Sequence, residues 1–377
     1  MTGVMIRETW AEVNLDHIGY NILQMKKRLP EGTKIVGVVK ADGYGHGSVQ
    51  VAKKALESGV SAIAVALLEE ALILREASIE APILVLGRVP ARFADLAAEN
   101  DIILTFYQKE WLEELKQYPL KNELKLHMKW DTGMGRIGIT SEEKMDELMK
   151  ELNNNPKLSL TGLFTHFATA DDEDLDYFHQ QKECFEKMLE NFQEKWKKQV
   201  NVHIGNSAAS IRFPNEMHNS IRFGISMYGL YPSATVKSEN EIPLKQAFSL
   251  HSKLVHVKRI SQGQSISYGG TYIAEKDEWI GTVPIGYGDG WTRKLQGFHV
   301  LVDGKYMPIV GRICMDMMMV RLDQKYEVGE EVTLIGEQKG ARISIDDVAN
   351  YLGTINYEIP CMIGKRVPRK YISTKEN

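Results

Sequence analysis

Over the first 240 or so residues, short β-branched runs alternate with amphipathic stretches. The apolar runs predict strands at 35–39, 62–66, 83–86, 102–106, 124–130, 158–164, 200–204 and 220–223. The clearest helical period lies near 174–196, where Phe185, Met188, Leu189, Phe192 and Trp196 fall at i, i+3, i+4, i+7 and i+11. That spacing makes one apolar stripe, with Lys and Glu filling the opposite face. Eight strands joined by helical connections predict a parallel sheet, because parallel neighbours need such crossovers. The length of the region matches a (β/α)8 barrel of the TIM type. A doubly wound open sheet competes with it, since counting strands does not detect closure.

Beyond residue 240 the texture changes. Strand-like stretches at 247–260, 279–284, 299–302, 307–310, 317–322 and 331–335 follow one another without a long helical period. Turn signals at Gly263, Gly269-Gly270, Gly288-Asp289-Gly290 and Asp303-Gly304 punctuate them. The pattern predicts an α/β domain over 12–240 followed by a mostly-β domain over 241–377. The seam lies near 233–243, where Ser, Lys, Asn and Glu cluster.

Composition narrows the function classes. Forty-six Lys and Arg against 50 Asp and Glu leave a formal charge of −4, with no basic excess to neutralise nucleic-acid phosphates. The longest plain apolar run, 62–68, is far short of the roughly 20 residues a bilayer span needs, so no membrane role is expected. The first residues show no apolar signal core. Three cysteines, Cys184, Cys314 and Cys361, have no metal-ligand spacing and fit a reducing compartment. The expectation is a cytoplasmic enzyme without a metal.

The informative polar residues sit where strands end, and barrels collect their chemistry in the loops after those ends. Lys40 closes an apolar run and precedes Ala-Asp-Gly-Tyr44-Gly-His-Gly. Lys129 ends the fifth strand ahead of Asp131 and Arg136; His166 follows the sixth, and Asn206-Ser207 the seventh. Arg222 ends the eighth, before Gly224 and Ile225. A strand-end lysine can simply snorkel to solvent, or, desolvated, it can attack an aldehyde. Ser207 opens an expected short helix over 207–213, where capping and anion binding are compatible roles.

The motifs together resemble the alanine racemase family. They run from Arg7-Glu-Thr-Trp-Ala-Glu-Val-Asn-Leu-Asp16 through Val38-Val-Lys-Ala-Asp-Gly-Tyr-Gly-His-Gly47 to Lys129-Trp-Asp-Thr-Gly-Met-Gly-Arg-Ile-Gly138. Asn206-Ser-Ala-Ala209, Ile221-Arg-Phe-Gly-Ile225, Ser267-Tyr-Gly-Gly-Thr271 and Pro284-Ile-Gly-Tyr287 follow. Gly311-Arg-Ile-Cys-Met-Asp316, Asn356-Tyr-Glu358 and Arg366-Val-Pro-Arg-Lys-Tyr371 complete the series, in the family's order. The resemblance implies a barrel followed by a β-domain that residues 1–11 join as a strand. It also implies a pyridoxal 5'-phosphate enzyme interconverting L-alanine and D-alanine for peptidoglycan. A broad-spectrum racemase or a basic-amino-acid decarboxylase on the same scaffold, and a non-catalytic cofactor carrier, are the alternatives.

Roles follow from the resemblance residue by residue. Lys40 carries the cofactor and serves as one base, and Tyr268, from the partner of a homodimer whose sites are completed in trans, as the other. Tyr44, His166, Asn206, Ser207, Arg222, Gly224, Ile225 and Tyr357 hold the cofactor, with Arg222 at its pyridine nitrogen. Arg136 and Met315 meet the substrate carboxylate, and Tyr287 and Tyr357 narrow the pocket to a methyl-sized side chain. Lys129 matches a lysine that many members carry as a carbamate. A phenol ionises near about pH 10 in water, so a second base needs cationic or donor groups beside it; His166, Arg222 and His203 are candidates. Gly43, Gly205 and Gly288 depart from the commoner alanine and are expected to alter rigidity, not chemistry.

Overall fold

The computed structural model describes residues 7–239 and 241–373. Contacts divide the chain into two units. One comprises His17–Gly43 and Ser48–Gln246; the other takes residues up to Asp16, Tyr44–Gly47 and everything from Ala247 onward. Of the strand expected at 1–11, residues 1–6 lie outside the described residues; Thr9–Asn14 forms β1.

The first unit contains β2 (Lys34–Val38), β3 (Ala62–Val65), β4 (Ile83–Arg88), β5 (Ile102–Phe106), β6 (Leu124–Lys129), β7 (Leu158–Phe164), β8 (Asn201–His203) and β9 (Ser220–Phe223). They pair in parallel in the order β8-β7-β6-β5-β4-β3-β2-β9. The pairing of β2 with β9, with Val36 opposite Arg222, brings the last strand back beside the first. A parallel bridge between Gly205 and Ile221, carried by the Arg222 N–H on the Gly205 carbonyl at 2.9 Å, joins the remaining edge. The sheet therefore curls into a nearly closed barrel, and the open-sheet alternative falls. The apolar stripe read near 174–196 is the buried face of the helix Asp176–Lys195. Trp130 fills the space beneath it, with ring centroids 5.1 Å from Phe185 and 6.0 Å from Phe192.

The second unit holds β1 together with β10 (Phe248–Lys253), β11 (His256–Ile260), β12 (Ser265–Ile266), β13 (Tyr272–Ile273), β14 (Glu278–Val283), β15 (His299–Val302), β16 (Lys305–Val310), β17 (Met318–Leu322), β18 (Glu331–Gln338), β19 (Ala341–Ile343) and β20 (Arg369–Ile372). Its main sheet runs β11-β14-β17-β16-β15-β18-β10-β1-β20. β1 lies between β10, antiparallel, and β20, parallel. The single run read at 247–260 is two strands. Leu254 N–H donates to the Glu330 carbonyl and Val255 N–H to that of Thr282, so successive residues serve different neighbours and the chain must bend there.

Candidate active site

Five barrel loops carry the expected groups. Lys40 lies two residues past β2, in a backbone that turns the wrong way for L-residues. Ala41, Asp42 and Tyr44 have φ of 53°, 53° and 51°, and Gly43 has 62°. Left-handed helical geometry costs a non-glycine residue about 1–2 kcal/mol, and consecutive instances cluster where function demands them. The Gly43 N–H donates to the Val39 carbonyl at 2.8 Å, and the Ser48 N–H to Asp42 Oδ1 at 2.9 Å. Glycine at 43 thus removes strain from a turn that an alanine would increase.

Arg222 is 4% exposed and stands at the centre of a polar network. Its Nη1 donates to the His203 carbonyl (2.6 Å) and to His203 Nδ1 (3.0 Å). Its Nη2 donates to the carbonyls of Thr165 (2.8 Å) and Ile204 (3.2 Å) and to His166 Nδ1 (3.2 Å). Among the described residues its Nε–H finds no acceptor. Burial, and then Arg136, push its pKa down, yet it stays protonated at neutral pH. Because arginine can only donate, both facing imidazole nitrogens must present lone pairs. His203 is then a neutral Nε2–H tautomer and passes that hydrogen to His127 Nδ1 at 2.9 Å. Burial holds His127 down at about 3, and burial with its neighbours holds His203 and His166 well below the ordinary histidine range. His203 has both ring nitrogens committed, and it braces Arg222.

Two neighbours of this network, His127 and Phe164, escaped the sequence reading, which named Asp131 without giving it a task. His127 lies two residues before Lys129 on β6, so the two share a face of the strand. A bulge sets His127 opposite Gly162, where a Cβ would sit 2.5 Å from the imidazole ring. Phe164 stacks on His203 at 4.8 Å and lies 5.4 Å from the Arg222 guanidinium and 5.7 Å from Lys129 Nζ. Asp131 accepts the N–H groups of Gly133, Gly135 and Arg136 at 3.0–3.1 Å, which curls the loop and presents Arg136 at the surface. The period-two alternation of β6 was the signal for His127; nothing local marked Phe164.

Lys129 is buried at 2% exposure and donates to the Ile137 carbonyl at 2.7 Å. Burial lowers its pKa to about 8, with Arg222 and Arg136 adding to the effect and Asp131 opposing it. The short helix runs Ser207–Arg212, and its cap is Asn206, whose Oδ1 accepts the Ala209 N–H at 2.9 Å. That frees Ser207 from the capping role; its Oγ accepts the Gly224 N–H at 3.0 Å, beside Ile225.

In the other unit Tyr44 is buried, with its ring centroid 6.2 Å from that of Tyr357. Burial, then Tyr357 and Cys361, raise its pKa, so its phenol stays protonated. Tyr268, Met315 and Tyr287 are 71%, 53% and 44% exposed. Their loops are tied together: the Tyr287 N–H donates to the Cys314 carbonyl (3.1 Å), that of Gly288 to Met315 (2.9 Å), and Ser267 Oγ to Arg312 (2.6 Å). Ser267, just before Tyr268, has φ 67° and ψ 179°, a region nearly reserved for glycine. Asp289, fully buried, braces the Tyr287 turn by accepting Arg7 through both oxygens at 2.7 and 2.6 Å and the Gly286 N–H at 3.1 Å.

A family model described as alanine racemase, N-terminal domain, matches residues 13–232, and one described as alanine racemase, C-terminal domain, matches 247–371. The chain belongs to the alanine racemase family. It is 54% identical to alanine racemase from Geobacillus stearothermophilus over 98% of this chain and 95% of that one. It is 52% identical to alanine racemase from Anoxybacillus flavithermus over 100% and 97%. A crystal structure of alanine racemase from Bacillus anthracis with bound L-Ala-P superposes with a TM-score of 0.97 at 47% identity, covering 99% of this chain and 97% of that one. The protein is thus an enzyme of the racemase class. No helix among the described residues is long and apolar enough to cross a membrane.

Proposed function

We propose that this racemase interconverts L-alanine and D-alanine with pyridoxal 5'-phosphate, using Lys40 on one face and Tyr268 of a second copy on the other. Relatives named for alanine at half identity over the whole chain support the substrate. The cofactor fits the donor set in the barrel unit: a strand-end lysine for its aldehyde, Ser207 among backbone amides for its phosphate, and an otherwise committed guanidinium with one N–H to spare for its ring nitrogen. When bound, the group lowers the acidity barrier at the substrate Cα by drawing electron density into its ring.

The remaining work belongs to the chain. Lys40 takes or returns the Cα proton on the D side. Arg222 would donate to the ring nitrogen without yielding its proton, because a guanidinium carries only donors and stays protonated at neutral pH. Arg222 would thereby keep the bound group a modest electron sink and so limit side transamination. His166 would hold the ring side of the cofactor, and Asn206, Ser207, Gly224, Ile225, Tyr44 and Tyr357 would bind its phosphate side. Arg136 and the Met315 N–H take the substrate carboxylate, and Tyr287 restricts the side chain to a methyl group. Lys129, with its lowered pKa, supplies the neutral amine that adds carbon dioxide, releasing a proton; the resulting anion faces Arg136 favourably where the bare ammonium repels it. Cytoplasmic D-alanine supply for peptidoglycan is the role the family resemblance supports.

The observation that carries the two-chain reading is the exposure of Tyr268, Met315 and Tyr287, the residues assigned to the chemistry, on a unit of their own. Mixing tests it. Lys40→Ala and Tyr268→Ala chains, each inactive alone, should regain about a quarter of wild-type activity when co-assembled, since half of the dimers are mixed and each holds one intact site. No recovery on verified mixed dimers would sink the reading.

A further inference from the structure

We propose that Glu70 is a positioning residue for Lys40: its carboxylate clamps the left-handed turn that follows the lysine and so fixes the direction in which the amine leaves the barrel rim. Glu70 stands in the first turn of the helix Leu68–Glu76, after β3. One oxygen, Oε2, accepts the Ala66 and Leu67 N–H groups at 2.8 and 3.1 Å, as a helix-start carboxylate commonly does. The other, Oε1, reaches across to the neighbouring loop and accepts the Ala41 N–H at 2.6 Å. Ala41 is the residue next to Lys40 and the first of the residues with positive φ.

The arrangement has a physical logic. L-residues leave left-handed geometry readily unless something holds them there. The far end of the turn is held by Asp42 on the Ser48 N–H and by Gly43 on the Val39 carbonyl. Its near end, where Lys40 departs, is held by Glu70 on Ala41. A charged acceptor makes the stronger kind of hydrogen bond. Because the same carboxylate is anchored on the β3 loop, the Lys40 loop is registered against the adjacent strand of the barrel. Neither end of this contact belongs to the residues that handle substrate, so sequence motifs around Lys40 do not reveal it.

The role assigned to Lys40 above is assumed for the catalytic consequence, but the clamp can be read without it. In Glu70→Gln the amide cannot accept on both sides. Hydrogen exchange of the purified enzyme should quicken at Ala41–Tyr44. Turnover should fall about tenfold or more in both directions, with KM for alanine changed less than about twofold, as a misplaced reacting group predicts. Adding Ala41→Gly makes left-handed geometry cheap at 41, so the double variant should recover at least about threefold of the lost turnover relative to Glu70→Gln. A residue that merely caps the helix would show no such relief. If Glu70→Gln does not fold, Glu70→Asp, too short to bridge both loops, is read the same way. Unchanged exchange at Ala41, or a loss of turnover that Ala41→Gly does not relieve, overturns the proposal. If Lys40→Ala retains racemisation while exchange still quickens in Glu70→Gln, the assignment of Lys40 fails and the clamp stands.

Discussion

The buried polar side chains of the barrel rim and the exposed side chains of the β-unit loops stand in opposite states. On the barrel, Lys129 and Arg222 are 2% and 4% exposed, and His127 and His203 are buried with them. Each finds its partners within the chain. On the β-unit, Tyr268, Met315 and Tyr287 stand open to solvent, and what is buried there is their support: Asp289 under the Tyr287 turn. Buried charge must be satisfied by the fold that buries it. Exposed phenols and thioethers carry no such demand, and their apolar bodies gain by being covered. The buried barrel groups are therefore satisfied by their own fold, whereas Tyr268, Met315 and Tyr287 stand open to solvent.

That contrast breaks most sharply at Arg222. Arg222→Glu sets a carboxylate against the carbonyls of Thr165, His203 and Ile204, leaving buried acceptors without donors. Stability should drop by about 3–5 kcal/mol, read by urea unfolding, and racemisation by at least about a hundredfold, with side transamination rising in what remains. Tyr268→Phe should do the reverse. Unfolding should change by less than about 0.5 kcal/mol because the hydroxyl is exposed, while racemisation falls by about a hundredfold or more for loss of an acid–base group. Wild-type rates in both directions would remove Tyr268 from the mechanism; a large loss of stability would erase the distinction between the halves.

Lys129 sharpens the picture through pH. In carbon-dioxide-free buffer its amine releases its proton near about 8 in the folded chain but, at the ordinary lysine value of 10.5, later in the unfolded one. Between those values the unfolded chain binds more protons, so this residue makes stability rise with pH from about 8 to about 10.5, and adds no slope below. Lys129→Met should remove that rise, and added bicarbonate should blunt it in the parent. An identical slope in parent and variant would show the lysine to be unperturbed. The smallest effect is expected at Ser267→Gly. Relief of its backbone is largely offset by loss of its Oγ bond to the Arg312 carbonyl, so stability should change by less than about 1 kcal/mol, while a looser Tyr268 turn should lower turnover about threefold, measured by thermal unfolding and steady-state rates.

Much of this was legible in the amino-acid order. The alternation of β-branched runs with the Phe185–Phe192 stripe announced a barrel-sized α/β region, and the polar residues at strand ends pointed to the rim that holds Lys40, Lys129, His166 and Arg222. Closure was not legible, because it depends on β9 returning to β2. Nor was the break at Leu254–Val255, where nothing in composition interrupts a run of strand formers. His127, Phe164 and Glu70 went unread for a common reason: each acts on a residue supplied by another strand or loop.

Sequence alone determined which groups are available, since chemistry resides in side-chain type and local spacing sets which strand end carries it. Tertiary structure decided their state. It made His203 a neutral acceptor for Arg222, took Ser207 out of helix capping and gave that task to Asn206. It also lowered Lys129 toward neutrality and left Tyr268 in the open. Protonation, tautomer and exposure depend on the dielectric and on partners brought from far along the chain, and only the folded arrangement supplies those.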